Sequence, residues 1–213
     1  MKKPSASKQA TRDKLMDTAE ALFAERGVEA VSVRAINTAA GVSVGGMHYH
    51  FRNRDDLVTA IIRRRMDDLQ AQRRLRYEAL LPLKSVALAD IVKALIEPLA
   101  ALAMSSDPAQ RCYVSFLARL YSERSPILEN LAQQQFADNG RMLLTLLKRA
   151  LPKLPDEIIS ARIYHTSLVL LSVLAEIGLP ARGWQRFPLQ NEQQLQALID
   201  YVVGGFNAPN TVV

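Results

Sequence analysis

The side chains best equipped for chemistry crowd into one stretch, Ser32 to Arg54, reading SVRAINTAAGVSVGGMHYHFRNR. Arg34, His48, Tyr49, His50 and Arg54 supply guanidinium, imidazole and phenol groups, all hydrogen-bond donors. His48 and His50 invite a metal reading. Residues two apart on a helix point about 200° from each other, so the two rings do not share an ion and no metal site is expected. His165 stands alone, and the single cysteine, Cys112, excludes a disulfide framework and a multi-cysteine zinc site. No Ser/His/Asp constellation, phosphate-cradling loop or dinucleotide fingerprint is present; Gly45-Gly46 lacks the Lys and strand context such loops need. Neither catalysis nor a cofactor is expected. The donors are those of a docking surface.

Two short helical patterns separated by a Gly turn must position these groups, the layout of a helix-turn-helix. Ser32 is suited to cap the first, with Val33, Ile36 and Ala40 on one face. Gly41 fits the left-handed position past its end, and Val42 folds back onto the core. Ser43 is expected to cap a second helix through His50. Met47 and Phe51 then face inward, and Val44, Gly45, His48 and Tyr49 face outward. Two interior glycines cost a helix roughly 2 kcal/mol relative to alanines. Gly45 and Gly46 either permit close backbone approach to a partner or belong to a weak first turn.

This segment resembles the DNA-binding half of the tetracycline-repressor (TetR) family of transcriptional regulators. The AAGVS turn, the aromatic-rich run ending His50-Phe51 and the opening Arg54-Asp55-Asp56-Leu57 carry the resemblance, over roughly residues 8 to 65. The chain departs from the family at His48, most often Tyr there, and at Gly46, usually a small hydroxyl residue. Both positions commonly reach the DNA backbone.

The net charge of +6 is uneven: residues 1 to 54 hold nine Lys/Arg against five Asp/Glu, and the rest hold 18 against 16. Most of the excess therefore lies on the first quarter of the chain, the footprint of a phosphate-facing module. The N-terminus lacks the apolar run of a signal peptide, and the longest apolar stretch, Ser167 to Leu179, is broken by Glu176. No membrane association and a cytoplasmic location are expected.

Helical periodicity without strand alternation predicts an all-α fold; the resemblance implies its division into a three-helix helix-turn-helix DNA-binding domain (8–65) and a helical ligand-binding and dimerisation domain (66–208). Thr11 is expected to cap the first helix and Gly27 to stop it. A helix from Asp55 carries Arg63-Arg64-Arg65, either a patch flanking DNA or a solvated face partly balanced by Asp67 and Asp68. Pro98 either kinks its helix or splits it. Asn191 and Gln194 resemble a capping box for a last helix ending at Gly204-Gly205. Met104, Tyr113, Phe116, Arg119, Tyr121, Met142 and His165, with Leu117, either line a ligand cavity or form plain core. Within apolar helices, Arg119 and His165 each need a partner, an internal Glu or a ligand carboxylate.

The resemblance implies a homodimer through the two C-terminal helices, binding a palindromic double-stranded DNA operator and released by a small-molecule effector. On that reading Arg34 is a candidate for bidentate contact to guanine, and Val44 for contact with a thymine methyl. Gly45 and Gly46 allow close approach, and His48, Tyr49, His50 and Arg54 are candidate phosphate contacts. The rivals are a helical binding protein whose helix-turn-helix no longer reads DNA, and an enzyme using a buried pocket. A gel shift separates the first; a cavity with no titratable cluster dismisses the second.

Overall fold

The computed structural model describes residues 6–43, 45–135, 137–177, 179 and 189–211, and among these all regular structure is helical. The N-terminal helices are α1 (Ala6–Arg26), α2 (Val33–Ala39), α3 (Gly46–His50) and α4 (Arg54–Leu80). They are followed by α5 (Leu88–Ala103), α6 (Pro108–Ser122), α7 (Pro126–Gln135), α8 (Ala137–Ala150), α9 (Asp156–Glu176) and α10 (Asn191–Asn207).

Helix α1 begins a full turn before the expected cap. Thr11 lies inside it, its hydroxyl donating to the Ser7 carbonyl at 3.1 Å, a bond open to a helical Thr as readily as capping. Gly27, at φ 85°, stops the helix. Leu15, Ala19 and Phe23 are fully buried, and α1 packs on α2 and α4 and most extensively on α6. There the Phe23 ring stacks on Phe116 at 6.1 Å.

Helix α4 runs without a break across the expected boundary between 65 and 66, its start capped by Asn53, whose side chain accepts from the Asp56 amide. Among the described residues no ion pair joins its arginine run to Asp67 or Asp68. Arg64 instead reaches back to α1, pairing with Asp17 at 2.5 Å and with Glu20 at 2.6 Å. Glu20 is only 2% exposed. Burial raises its pKa, against the pull of Arg64.

Helix α5 carries Pro98 in its interior and does not split. The ring nitrogen has no hydrogen to give the Ala94 carbonyl. Asp107 caps α6 with Pro108 at its first position. The capping box of α10 is formed by Gln190 and Gln193, one residue before the expected pair, and α10 continues through Gly204 and Gly205 to Asn207. Helix α9 is long and apolar enough by composition to cross a bilayer, more than the interrupted stretch 167–179 suggests. It packs on α5, α6, α8 and α10, so it is an element of the helical domain.

Candidate nucleic-acid interface

The turn between α2 and α3 is built locally. The Ser32 side chain accepts from the Ala35 amide at 3.1 Å, capping α2. At its other end the Gly41 amide donates to Thr38 and the Val42 amide to Asn37, the paired bonds of a Schellman motif. Gly41, at φ 61°, makes that reversal possible.

The expected Ser43 cap is absent. Gly45 occupies the cap position of α3 without a side-chain bond. The start of α3 is held instead by Asn37, buried in α2, whose side-chain oxygen accepts from the Met47 amide at 3.1 Å. Met47 and Phe51 are buried as expected, and Gly45, His48 and Tyr49 are exposed. Val44 lies outside the described residues. Gly46 has a packing explanation: a β-carbon there would fall 1.9 Å from a methyl of Val42. Around Gly45 a β-carbon meets open space.

The donors differ in how free they are. Arg34 is exposed beside a shallow depression shared with Arg26 and Thr38. Tyr49, 69% exposed, lies under the Lys8 ammonium, 4.4 Å from its ring centre. Arg12 stands over Phe51 at 5.0 Å. His50 is half-buried, edge-on to Tyr49. Burial first, then Lys8 and Arg12, hold its pKa below the ordinary histidine value. Arg54 is committed internally: it donates to the Val28 carbonyl and both Glu29 oxygens at 2.8–3.1 Å, fastening α4 to the loop before α2.

The residues expected either to line a ligand cavity or to form plain core fall in two groups, Tyr113 with Phe116 at 6.3 Å between ring centres, and Tyr121 and His165 on either side of Tyr164. Tyr113 is fully buried and donates to the Ile62 carbonyl of α4 at 2.7 Å; Phe116 is equally buried, and Leu117 nearly so. Arg119 finds its partner on its own helix, Glu123 at 2.9 Å. Tyr121 is half-buried, 6.5 Å from the Tyr164 ring; Met104 and Met142 are partly buried against the core. His165 is exposed and lines a groove of about 420 Å³ between α9 and α10 with Arg162, Tyr201 and Gly205. No group of three or more metal-ligating side chains forms among the described residues.

Comparison with known proteins fixes the lineage. Residues 15–61 match the model of bacterial regulatory proteins, tetR family, and residues 93–205 match the tetracyclin repressor-like C-terminal domain. The chain belongs to the TetR family. The HTH-type transcriptional repressor KstR2 of Rhodococcus jostii is 42% identical to it over 65 residues, 30% of this chain and 32% of that protein. The match thus spans about a third of the curated relative. Among solved structures, the ketosteroid transcriptional regulator KstR2 of Mycobacterium tuberculosis is similar at a TM-score of 0.58 and 21% identity, covering 95% of this chain and 96% of that one. A transcriptional regulator from Saccharomonospora viridis, in complex with choline, is similar at 0.55 and 18%, covering 91% and 96%.

Within this TetR-family frame, sequence reasoning missed Asn37, Arg12 and Lys14, and took Lys8 for part of a polar arm over residues 1–9, either tracking phosphates or disordered, whereas it lies in α1. Asn37 looks like a polar residue on an exposed face until its partner ten residues on is known. Lys8 and Arg12, four apart on α1, carry a helical spacing that could have signalled a shared face. The Lys14 ammonium lies 3.7 Å from where a β-carbon at Gly41 would be, beside the turn, and only the folded structure brings it there.

Proposed function

We propose that two copies of this chain bind a palindromic operator in bacterial cytoplasmic DNA, repress transcription, and release it when a small molecule enters the helical domain. The observation that carries this reading is α3, held at its start by Asn37 and presenting Gly45, His48 and Tyr49 to solvent. Arg34, Val44 and Gly45 are assigned to base edges and close approach, His48, Tyr49 and His50 to phosphates. Arg54 is left out, because its guanidinium is already engaged. Lys8, Arg12 and Lys14 extend the basic surface.

Dimerisation is supported by the outer faces of α9 and α10. Tyr164, Leu168 and Tyr201 are exposed there, and only 22% of the most apolar window of α9 is buried in one chain. A second copy covers such a face. A ligand-responsive role is supported by the family's C-terminal domain match and by the relative that holds choline.

Selection of bound duplexes from a random pool supplies the operator. Arg34→Ala should then weaken binding by about 1–3 kcal/mol and relax preference at one base pair. Equal weakening for every sequence would remove the base-reading role. Unchanged operator affinity at saturating effector would remove the release mechanism.

A further inference from the structure

The first turns of α1 meet the end of α3 through two stacked cations. The Lys8 ammonium stands 4.4 Å from the centre of the Tyr49 ring, and the Arg12 guanidinium stands 5.0 Å from that of Phe51. Lys8 and Arg12 lie four apart on α1 and so share a face. Among the described residues neither cation enters an ion pair. Arg12 turns one guanidinium nitrogen to the Met16 sulfur, at 3.6 Å. Two neighbouring cations with no carboxylate pairing either attract an anion from outside.

The two stacks differ in what they leave free. Phe51 is 5% exposed and Arg12 is half-buried, so that stack fastens α1 to the core. Tyr49 is 69% exposed, and Lys8 is exposed as well. An ammonium on a ring face spends one side on the ring and keeps its other donors for an acceptor. The phenol hydroxyl is a second donor on the rim of the same ring. Tyr49 also lies one turn after Gly45, whose carbonyl accepts from its amide at 3.2 Å. It therefore stands on the face of α3 assigned above to DNA. Flanking a groove that a helix enters is the sugar-phosphate backbone, whose oxygens accept from Lys and Tyr alike.

We propose that the Lys8 ammonium and the Tyr49 hydroxyl close on one and the same backbone phosphate of the duplex, so that the start of α1 is a DNA-contacting element beside α2 and α3. The Tyr49 ring holds the ammonium in place before DNA arrives, and the Arg12 stack on Phe51 holds α1 against α3. This proposal rests on the DNA-binding reading of α3 given above.

The test uses the full chain and a duplex selected from the random pool, with affinity followed against salt. Lys8→Met should weaken binding by about tenfold at low salt, alike for selected and unrelated duplexes. It should also flatten the log–log salt slope by about two, one phosphate for each chain of a pair. Tyr49→Leu, which removes both the ring and the hydroxyl, should do the same, and adding Lys8→Met to it should cost little more. Tyr49→Phe keeps the ring, so it should lose affinity but keep the slope. Neutral methylphosphonate is then placed at one phosphate of each half-site in turn; one position should weaken the wild type and leave Lys8→Met unaffected. The proposal is overturned if Lys8→Met keeps the wild-type slope, or if its cost is the same in the Tyr49→Leu background as in the wild type. It is overturned equally if no single neutralised phosphate distinguishes the two proteins. Should Tyr49→Leu not fold, the Lys8→Met slope and the phosphate scan decide. Any of these failures beside a wild type that binds duplex leaves the regulator reading standing; a wild type that binds no duplex removes both.

Discussion

At the residue scale the ion pair between Arg64 and Glu20 sets the sharpest expectation. Its two members respond differently to burial. Ionised Glu20 is disfavoured on balance, its pKa raised chiefly by desolvation, while the pKa of Arg64 is raised because Asp17 gives it a second acceptor against the same desolvation. Arg64→Met leaves the Glu20 carboxylate enclosed and unmatched, costing about 3–5 kcal/mol at pH 7.5. A raised folded-state pKa means the folded protein takes up the proton more readily than the unfolded chain. The variant should therefore regain stability as pH falls toward that pKa and lose it as pH rises through it. Urea unfolding at pH 7.5 and 5.5 checks this; equal deficits at both would show that Glu20 is not the group left stranded. Glu20→Gln should cost only about 1 kcal/mol, since Asp17 still pairs Arg64.

The next scale is that of the element, and α3 is the instructive one. An isolated helix so short does not persist in water, so its form depends on α2 through Asn37. Asn37→Ala should destabilise the chain by about 1–3 kcal/mol by stranding the Met47 amide, read in denaturant melts. Gly46→Ala must displace Val42 and should cost about 1–3 kcal/mol. Gly45→Ala meets open space and should stay within about 0.5 kcal/mol of wild type, so any large loss of operator affinity in it reports contact with DNA. What the sequence revealed here follows the range of each interaction. Ser32 and Gly41 were legible because cap and turn are settled within a few residues. The Asn37 bond, the Arg64 reach to α1 and the diversion of Arg54 to Glu29 join positions ten to 47 apart, and no local pattern announces them. That Tyr113 and Phe116 pack together in the core while Arg119 and His165 face solvent was illegible for the same reason: apolar spacing marks an inner face but not which neighbour it meets.

For the molecule as a whole, the uncovered apolar faces of α9 and α10 call for a second chain. Leu168→Glu with Tyr201→Glu should leave the fold intact and convert a dimer to a monomer in sedimentation velocity, with operator binding lost because half-sites are no longer linked. A doubly substituted protein that still sediments as a dimer would place the interface elsewhere. Operator affinity should also fall steeply with salt, in proportion to the phosphates each dimer contacts.

The unbroken course of α4 has a mechanical corollary. With 27 residues it measures roughly 40 Å end to end, so a tilt of about 3° about its middle swings each tip by about 1 Å. One tip is fastened by Arg54 to the loop before α2, and the other half packs among α5, α7 and α8. If the chain pairs and releases DNA as proposed, the two displacements would add across a symmetric pair, and a small guest that tilts α4 would be geared to a change that spans the duplex.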